Sequence, residues 1–241
     1  RIGIGSLCGS VDVFDVCLKK SRYKGKFEFT FFLSQYPVEK ALREKNAKLT
    51  RNNQSYKRRV DFNQGVDARI LCKSKMYLQE LSTICIKPLR IAFDHLGLKK
   101  PYETAIRYSH EFGLDGLSNY MLYNFHDSPK DLYERMLLNV KLNEELGIRI
   151  YSFPMRYQPT DRPDRGFIGK NWSAYSLRSI QVVLQATHGI VSGNPEFFYR
   201  AFGASSDDFN NLLATPHHFI FNREWYEKGD GKGEFEEYKI K

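Results

Sequence analysis

Carboxylates, amides and guanidinium groups recur at the ends of apolar runs in this chain. In VDFNQGVDARIL (60–71), Val60, Asp61 and Phe62 read as the end of a short buried strand. Asn63-Gln64-Gly65 then breaks the run with a polar turn, in which Gly65 takes φ > 0 at no steric cost. Asp67 and Arg69 stand two apart, so an extended segment points both the same way, toward one polar ligand or toward each other. An isolated pair of this kind is most simply an internal salt bridge. The case for function is recurrence. LRIAFDH (89–95), LSNYMLYNFHD (117–127) and IRIYSFPMRYQP (148–159) repeat the layout, offering Asp94 and His95, then Tyr123, Asn124 and Asp127, then Arg156 and Tyr157. Together these groups suit a ligand bearing amino, carboxylate and hydroxyl groups. No nucleophile and base pair stands out among them. His95 reads as a hydrogen-bonded cap, and the adjacent His217 and His218 point apart and make a poor chelate.

These groups can meet only if the strands that carry them are parallel. Residues 1–22 fit either a strand or a short helix; Lys26 to Leu33 reads as a buried strand and Pro37 to Leu49 as a helix. Further helices are expected from Ser74 to Leu81, from Pro101 to Phe112 ending at Gly113, and from the Ser128-Pro129 start to Gly147. Strands are expected at Leu89 to Phe93, Leu117 to Tyr123 and Ile148 to Phe153. Alternation at roughly thirty residues implies parallel strands joined by right-handed crossovers, with ligands at their carboxyl ends. A closed eightfold barrel needs ~250 residues, whereas the repeats stop near residue 155. The expectation is therefore an α/β fold, a partial open barrel over 1–158, followed by a helical C-terminal region, 159–241, packed on it. That region should hold helices at Ser173 to Thr187, Pro195 to Phe202 and Ser205 to Leu213, with Phe197, Phe198 and Phe202 packing inward. The loop Thr160 to Asn171, with Arg162, Arg165 and Lys170, reads as a solvated loop, the alternative being a lid or anion clamp.

With 241 residues, 41% of them hydrophobic, the chain can bury a substantial core. Its formal charge of +9, from 37 basic and 28 acidic residues, is compatible with nucleic acid, an anionic cofactor or plain solubility as its reason. The basic run from Lys40 to Arg59 has Tyr56 as its only ring and reads as a solvated helix and loop rather than a nucleic-acid arm. Cys8, Cys17, Cys72 and Cys85 have neither metal-ligand spacing nor disulfide density, which points to a reducing, cytoplasmic setting. No apolar run nears the ~20 residues that span a bilayer, so a soluble protein without membrane partners is expected. The sequence opens on Arg1 rather than Met, and any missing part is expected upstream.

Taken together, VDFNQGVDAR, IKPLRIAFDH, LSNYMLYNFHDSPKDLYERMLLN, IYSFPMRYQP and FIGKNW resemble, over roughly residues 58 to 215, the radical S-adenosylmethionine superfamily, in particular its poorly characterised bacterial members. The resemblance implies a partial (βα)6 barrel holding a 4Fe–4S cluster on three cysteines. That cluster cleaves S-adenosylmethionine to a 5′-deoxyadenosyl radical for hydrogen abstraction, with an electron donor as partner and a substrate that the residues do not identify. It further implies that Asn63, Gln64, Asp67, Arg69, Asp94, Tyr123, Asn124 and Arg156 line the cofactor and substrate cavity. The family's CxxxCxxC motif is absent from the chain; Cys8 and Cys17 lie in about the right region at the wrong spacing, without a third ligand. A cluster loop upstream of Arg1, a divergent N-terminal region, and a cluster-free relative that binds a small molecule or nucleic acid without catalysis all account for that departure.

Overall fold

The computed structural model describes residues 2–4, 50–51, 54–55, 60–63, 65–84, 86–161, 164–223, 229 and 232–240. The expected strand at 26–33, the helix at 37–49, most of the basic run, Gln64, Cys8, Cys17 and Cys85 lie outside them. Among the described residues the chain is mixed α/β. Strands β1 (Ile2–Ile4) and β4 (Val60–Phe62) pair in parallel, and β2 (Thr50–Arg51) pairs antiparallel with β3 (Gln54–Ser55). The main sheet has four parallel strands in chain order: β5 (Val66–Asp67), β6 (Leu89–Ala92), β7 (Gly116–Tyr123) and β8 (Arg149–Arg156).

Between β4 and β5 the Gly65 amide donates to the Phe62 carbonyl at 2.8 Å, closing the turn that Asn63-Gln64-Gly65 announces. Gly65 sits at φ +86° against the Arg90–Ala92 backbone, where a Cβ would lie 3.4 Å from the Ala92 nitrogen. Its conformation requires glycine, whereas a Cβ at that distance would make an ordinary contact with β6. The strand ends at Asp67, which caps the short helix α1 (Ala68–Leu71); α2 (Lys75–Ser82) follows under a Ser74 cap. Helix α3 (Lys99–Glu111) leads into Gly113 at φ +71°. Helix α4 (Pro129–Leu146) starts with a Ser128–Asp131 capping box and Pro129, and stops at left-handed Gly147.

Strand alternation decides which residues these helices cover. On β7 the face of Leu117, Asn119 and Met121 meets the helices: Asn119 Nδ2 donates to the Tyr102 hydroxyl of α3 at 2.7 Å. On β8, Ser152 accepts from Asn139 of α4 (2.8 Å), and the Ile150 amide donates to Asn143 (2.7 Å). Phe93 stacks on Tyr102 at 4.2 Å in the same layer. Among the described residues, the side of β8 away from β7 is met where Ser152 and Val191 exchange two backbone hydrogen bonds (3.2 and 2.9 Å) as an antiparallel bridge.

Helices α5 (Ala174–Ala186), α6 (Pro195–Phe202), α7 (Ser206–Ala214) and α8 (His217–Phe221) follow the sheet, with α9 (Lys232–Ile240) after them. Tyr133 on the outer side of α4 joins them to the sheet layer. Its ring lies 5.5 Å from both Phe198 and Phe209, and its hydroxyl donates to the Gly203 carbonyl. Phe198 and Phe202 are buried as expected, whereas Phe197 is 42% exposed because its position on α6 turns it to solvent. No described helix is long and apolar enough to cross a membrane.

Candidate functional site

Because the four strands are parallel, their carboxyl ends share one edge of the sheet, and the sequence-predicted groups divide there by face. Asp67 pairs in register with Ala92, and Arg90 with Ser118, so Asp67, Arg90, Ala92, Ser118, Tyr120 and Leu122 share the face turned away from the helices. Tyr151, Phe153 and Met155 of β8 continue that face. It is open at its β8 side, where Tyr151 and Met155 are 43% and 48% exposed. Asp94, two residues past β6, stands at its rim.

The floor of this face is an ion pair. Arg90 donates from Nε to Asp61 Oδ1 (2.7 Å), from Nη2 to Oδ2 (3.2 Å) and from Nη1 to Ser118 Oγ (3.0 Å). Its guanidinium lies 5.4 Å from the Tyr120 ring centre and 5.8 Å from that of Phe153. Both charges are buried and fully engaged, so they shape the face rather than receive a ligand's charge. Sequence reasoning passed over Asp61 and Arg90, although a charged residue inside an apolar strand requires a buried partner and is itself a signal.

Of the predicted residues, Asp67 and Arg69 pair with each other. Asp67 Oδ1 accepts from the Arg69 amide (2.8 Å), and Oδ2 accepts from Nη2 (2.6 Å). The pairing comes from a helix cap, not from strand alternation, because the strand ends at Asp67 and Arg69 is already helical. The Arg69 hydrogen bond holds the Asp67 carboxyl below its ordinary range. Asp94 is different. The residue is exposed overall, yet burial of its carboxyl raises the pKa, and the Asp67 charge adds to the rise against a Leu122 backbone hydrogen bond and the charges of Arg135 and His95. Asn63 is exposed in its turn. His95 is exposed, and its side chain makes no capping hydrogen bond.

Tyr123, Asn124 and Arg156 do not line the open face. Tyr123 and Arg156 have the parity of Asn119 and Ser152, which places them on the helix side. Tyr123 is buried with its ring 5.4 Å from Trp172, and burial raises its hydroxyl pKa to about 12. Asn124 is wholly buried at φ +70°; Nδ2 donates to the carbonyls of Tyr157 (3.2 Å) and Phe167 (3.0 Å), and Oδ1 accepts from the Gly169 amide (2.8 Å). Arg156 Nη2 donates to the same Phe167 carbonyl at 2.9 Å. These residues therefore tie down the loop after β8, which is a strap fixed to the rim. Gly169 permits the contact, since a Cβ there would sit 2.7 Å from the Phe125 carbonyl oxygen.

A second buried pair supports the rim from beneath. Arg135 of α4 has no exposed surface. Its Nη1 donates to the carbonyls of Phe93 (3.0 Å), Asp94 (2.9 Å) and Leu122 (2.8 Å), and Nη2 donates to Asp127 Oδ2 (2.8 Å). Asp127 Oδ1 accepts from the Phe125 amide (3.0 Å) and Trp172 Nε1 (3.2 Å). One guanidinium thus joins the carboxyl ends of β6 and β7 and sets the height of Asp94.

No described residues form a group of three or more metal-ligating side chains. Cys72 is half-buried rather than enclosed, and its thiol donates to the Arg69 carbonyl (3.4 Å), so it does not fit a cluster ligand. His217 stacks on Tyr175 at 4.6 Å, with Nε2 3.1 Å from Ser179 Oγ.

No family model and no solved structure matches the chain. Short segments are similar to intraflagellar transport protein 172. The zebrafish (Danio rerio) homolog is 55% identical over 39 residues, 16% of this chain and 2% of that protein. The Chlamydomonas reinhardtii protein is 42% identical over 43 residues, 18% of this chain and 2% of its own length. The chain thus spans about 2% of the curated relatives it matches, too little to place it in their family.

Proposed function

We propose that the chain supplies the later strands of a radical S-adenosylmethionine-type barrel and binds S-adenosylmethionine along the open face of the sheet. The observation that supports the reading is the parallel sheet with one helix-covered face and one face that no described helix covers, the latter bearing two rim carboxylates, Asp67 and Asp94, and the rings of Tyr120 and Phe153. Carboxylates suit the ligand's ammonium, ribose hydroxyls and sulfonium charge, while Tyr120 and Phe153, whose rings already lie against the Arg90 guanidinium, offer apolar surface. Asp94 is the group best placed for that contact, since Asp67 is already occupied by Arg69. The one described thiol does not fit the family's cluster, so the proposal is one of ligand binding. Isothermal titration of the full chain with S-adenosylmethionine should give saturable binding. S-adenosylhomocysteine, which lacks the positive sulfur, should bind less tightly. Asp94→Asn should weaken binding about tenfold or more, the worth of a charge-assisted hydrogen bond of ~1.5–3 kcal/mol. Absence of saturable heat from a chain that melts cooperatively would sink the reading.

The same substitution should stabilise the fold. With its folded-state pKa raised, Asp94 lets the native chain hold more protons than the unfolded one between the two pKa values, so its contribution to stability falls as pH rises through that window. Asp94→Asn removes the resulting penalty. Urea unfolding at pH 7 should show a gain of no more than about 1 kcal/mol, because the residue is exposed and solvent screens its charge. The gain should vanish below the unfolded value of about 3.9.

A further inference from the structure

The rim carboxylate Asp94 is aimed by a break in the sheet's own hydrogen bonding. Just past the end of β6 the Phe93 amide still donates to the Tyr120 carbonyl of β7 (3.3 Å). In a parallel ladder the next rung would run from the Leu122 amide to the Phe93 carbonyl. Arg135 interrupts it. Its Nη1 donates to that carbonyl (3.0 Å), and the Leu122 amide donates instead to the Asp94 carboxylate. The same Nη1 reaches the carbonyls of Asp94 (2.9 Å) and Leu122 (2.8 Å), so the backbone on both sides of the diverted bond is held from beneath by one nitrogen. A carboxylate tied to an amide of the neighbouring strand is oriented before a ligand arrives and loses less freedom when one binds.

We infer that Arg135 is a positioning residue for the rim: by occupying the Phe93 carbonyl it frees the Leu122 amide to orient the Asp94 carboxylate, while its own side chain, wholly buried, touches no ligand. The consequence for ligand affinity rests on the proposed reading of the open face; the orientation of Asp94 does not. Among the described residues, the charged groups acting on Asp94 are Asp67 of β5, His95 beside it in the chain and Arg135 of α4, and Asp127 and Asp131 act in turn on Arg135. Arg135→Lys leaves the others in place and keeps the cation, but an ammonium cannot serve the three carbonyls and Asp127 together. The rung from Leu122 to Phe93 should then close, and Asp94 should lose its donor. Loss of a hydrogen bond that favours the charged form raises a carboxyl's pKa.

An NMR pH titration of the full chain tests this without a ligand. In the parent chain the Leu122 amide proton should shift with the same midpoint as the Asp94 carboxyl carbon, and the step should be absent from Asp94→Asn. In Arg135→Lys the Asp94 midpoint should move to higher pH and the Leu122 step should shrink. Isothermal titration then adds the ligand. Arg135→Lys should raise the Kd for S-adenosylmethionine about 2–10-fold, the worth of one hydrogen bond, and should change nothing further in the Asp94→Asn background. A Leu122 amide that does not follow Asp94 in the parent chain, an Asp94 midpoint unmoved in a folded Arg135→Lys chain, or equal losses of affinity with and without the Asp94 carboxylate would overturn the assignment. A parent chain with the coupled titration but no S-adenosylmethionine heat would sink the cofactor reading alone and uphold the role of Arg135.

Discussion

Arg135→Met should lower the unfolding free energy by about 3–5 kcal/mol, the cost of breaking a buried ion pair from one side. The substitution leaves the buried Asp127 carboxylate without its cation, held only by the Phe125 amide and Trp172, and removes the donor to the carbonyls of Phe93, Asp94 and Leu122. For a chain of this size that is a fall in Tm of roughly 6–20 °C, at ~2–4 °C per kcal/mol. Arg135→Lys keeps the charge but cannot fork to two strand ends and the carboxylate at once, so it should recover only part of the loss. Asp127→Asn in the same background should cost less than it does alone, since the two changes remove one interaction. Urea denaturation of the four chains measures the cycle; a loss under about 1 kcal/mol for Arg135→Met would mean that the rim is held by something else. By comparison, the exposed Asp67–Arg69 pair is expected to contribute about 0–1 kcal/mol. Its prominence in the sequence is not a measure of its weight in the fold.

Asn124→Ala is the second large effect. It puts a Cβ-bearing residue without a compensating polar side chain at φ +70°, costing about 1–2 kcal/mol, and it removes three hydrogen bonds to the strap. The Gly169 amide and the Tyr157 carbonyl lose their Asn124 partner, so the total should be about 3 kcal/mol or more. Asn124→Gly separates the two causes: it relieves the backbone but leaves the strap untied, and should recover only about 1 kcal/mol. Native-state hydrogen exchange at Gly169 reads the strap directly. Its protection should fall in both variants, and protection preserved in Asn124→Gly would show that Asn124 is needed for its backbone alone.

Much of the architecture is legible in the sequence where both ends of an element carry chemistry. Ser128-Pro129 and Gly147 bracket α4, Ser74 opens α2, and apolar β-rich runs mark β6, β7 and β8. The parallel arrangement follows from their alternation with helices. The short β5 and α1 are not legible, since two strand residues and four helical ones are too few to show a period. The site is only half legible, and for a specific reason. A residue at a strand end can face the ligand or the helices, and parity depends on a register that the sequence leaves open by one residue. Asp67 and Asp94 fall on the open face, whereas Tyr123 and Arg156 fall on the covered one and act on the strap. Arg135 escapes notice altogether because its five acceptors come from residues spread between 93 and 131, which only the folded chain assembles.

The two hydrogen bonds between Ser152 and Val191 bear on how this molecule meets others of its kind. An outermost β ladder usually offers a row of vacant donors and acceptors, a ready template for self-association. Here both main-chain groups of Ser152 are already taken midway along β8, the last strand of the sheet among the described residues, so an approaching copy cannot zip continuously along it.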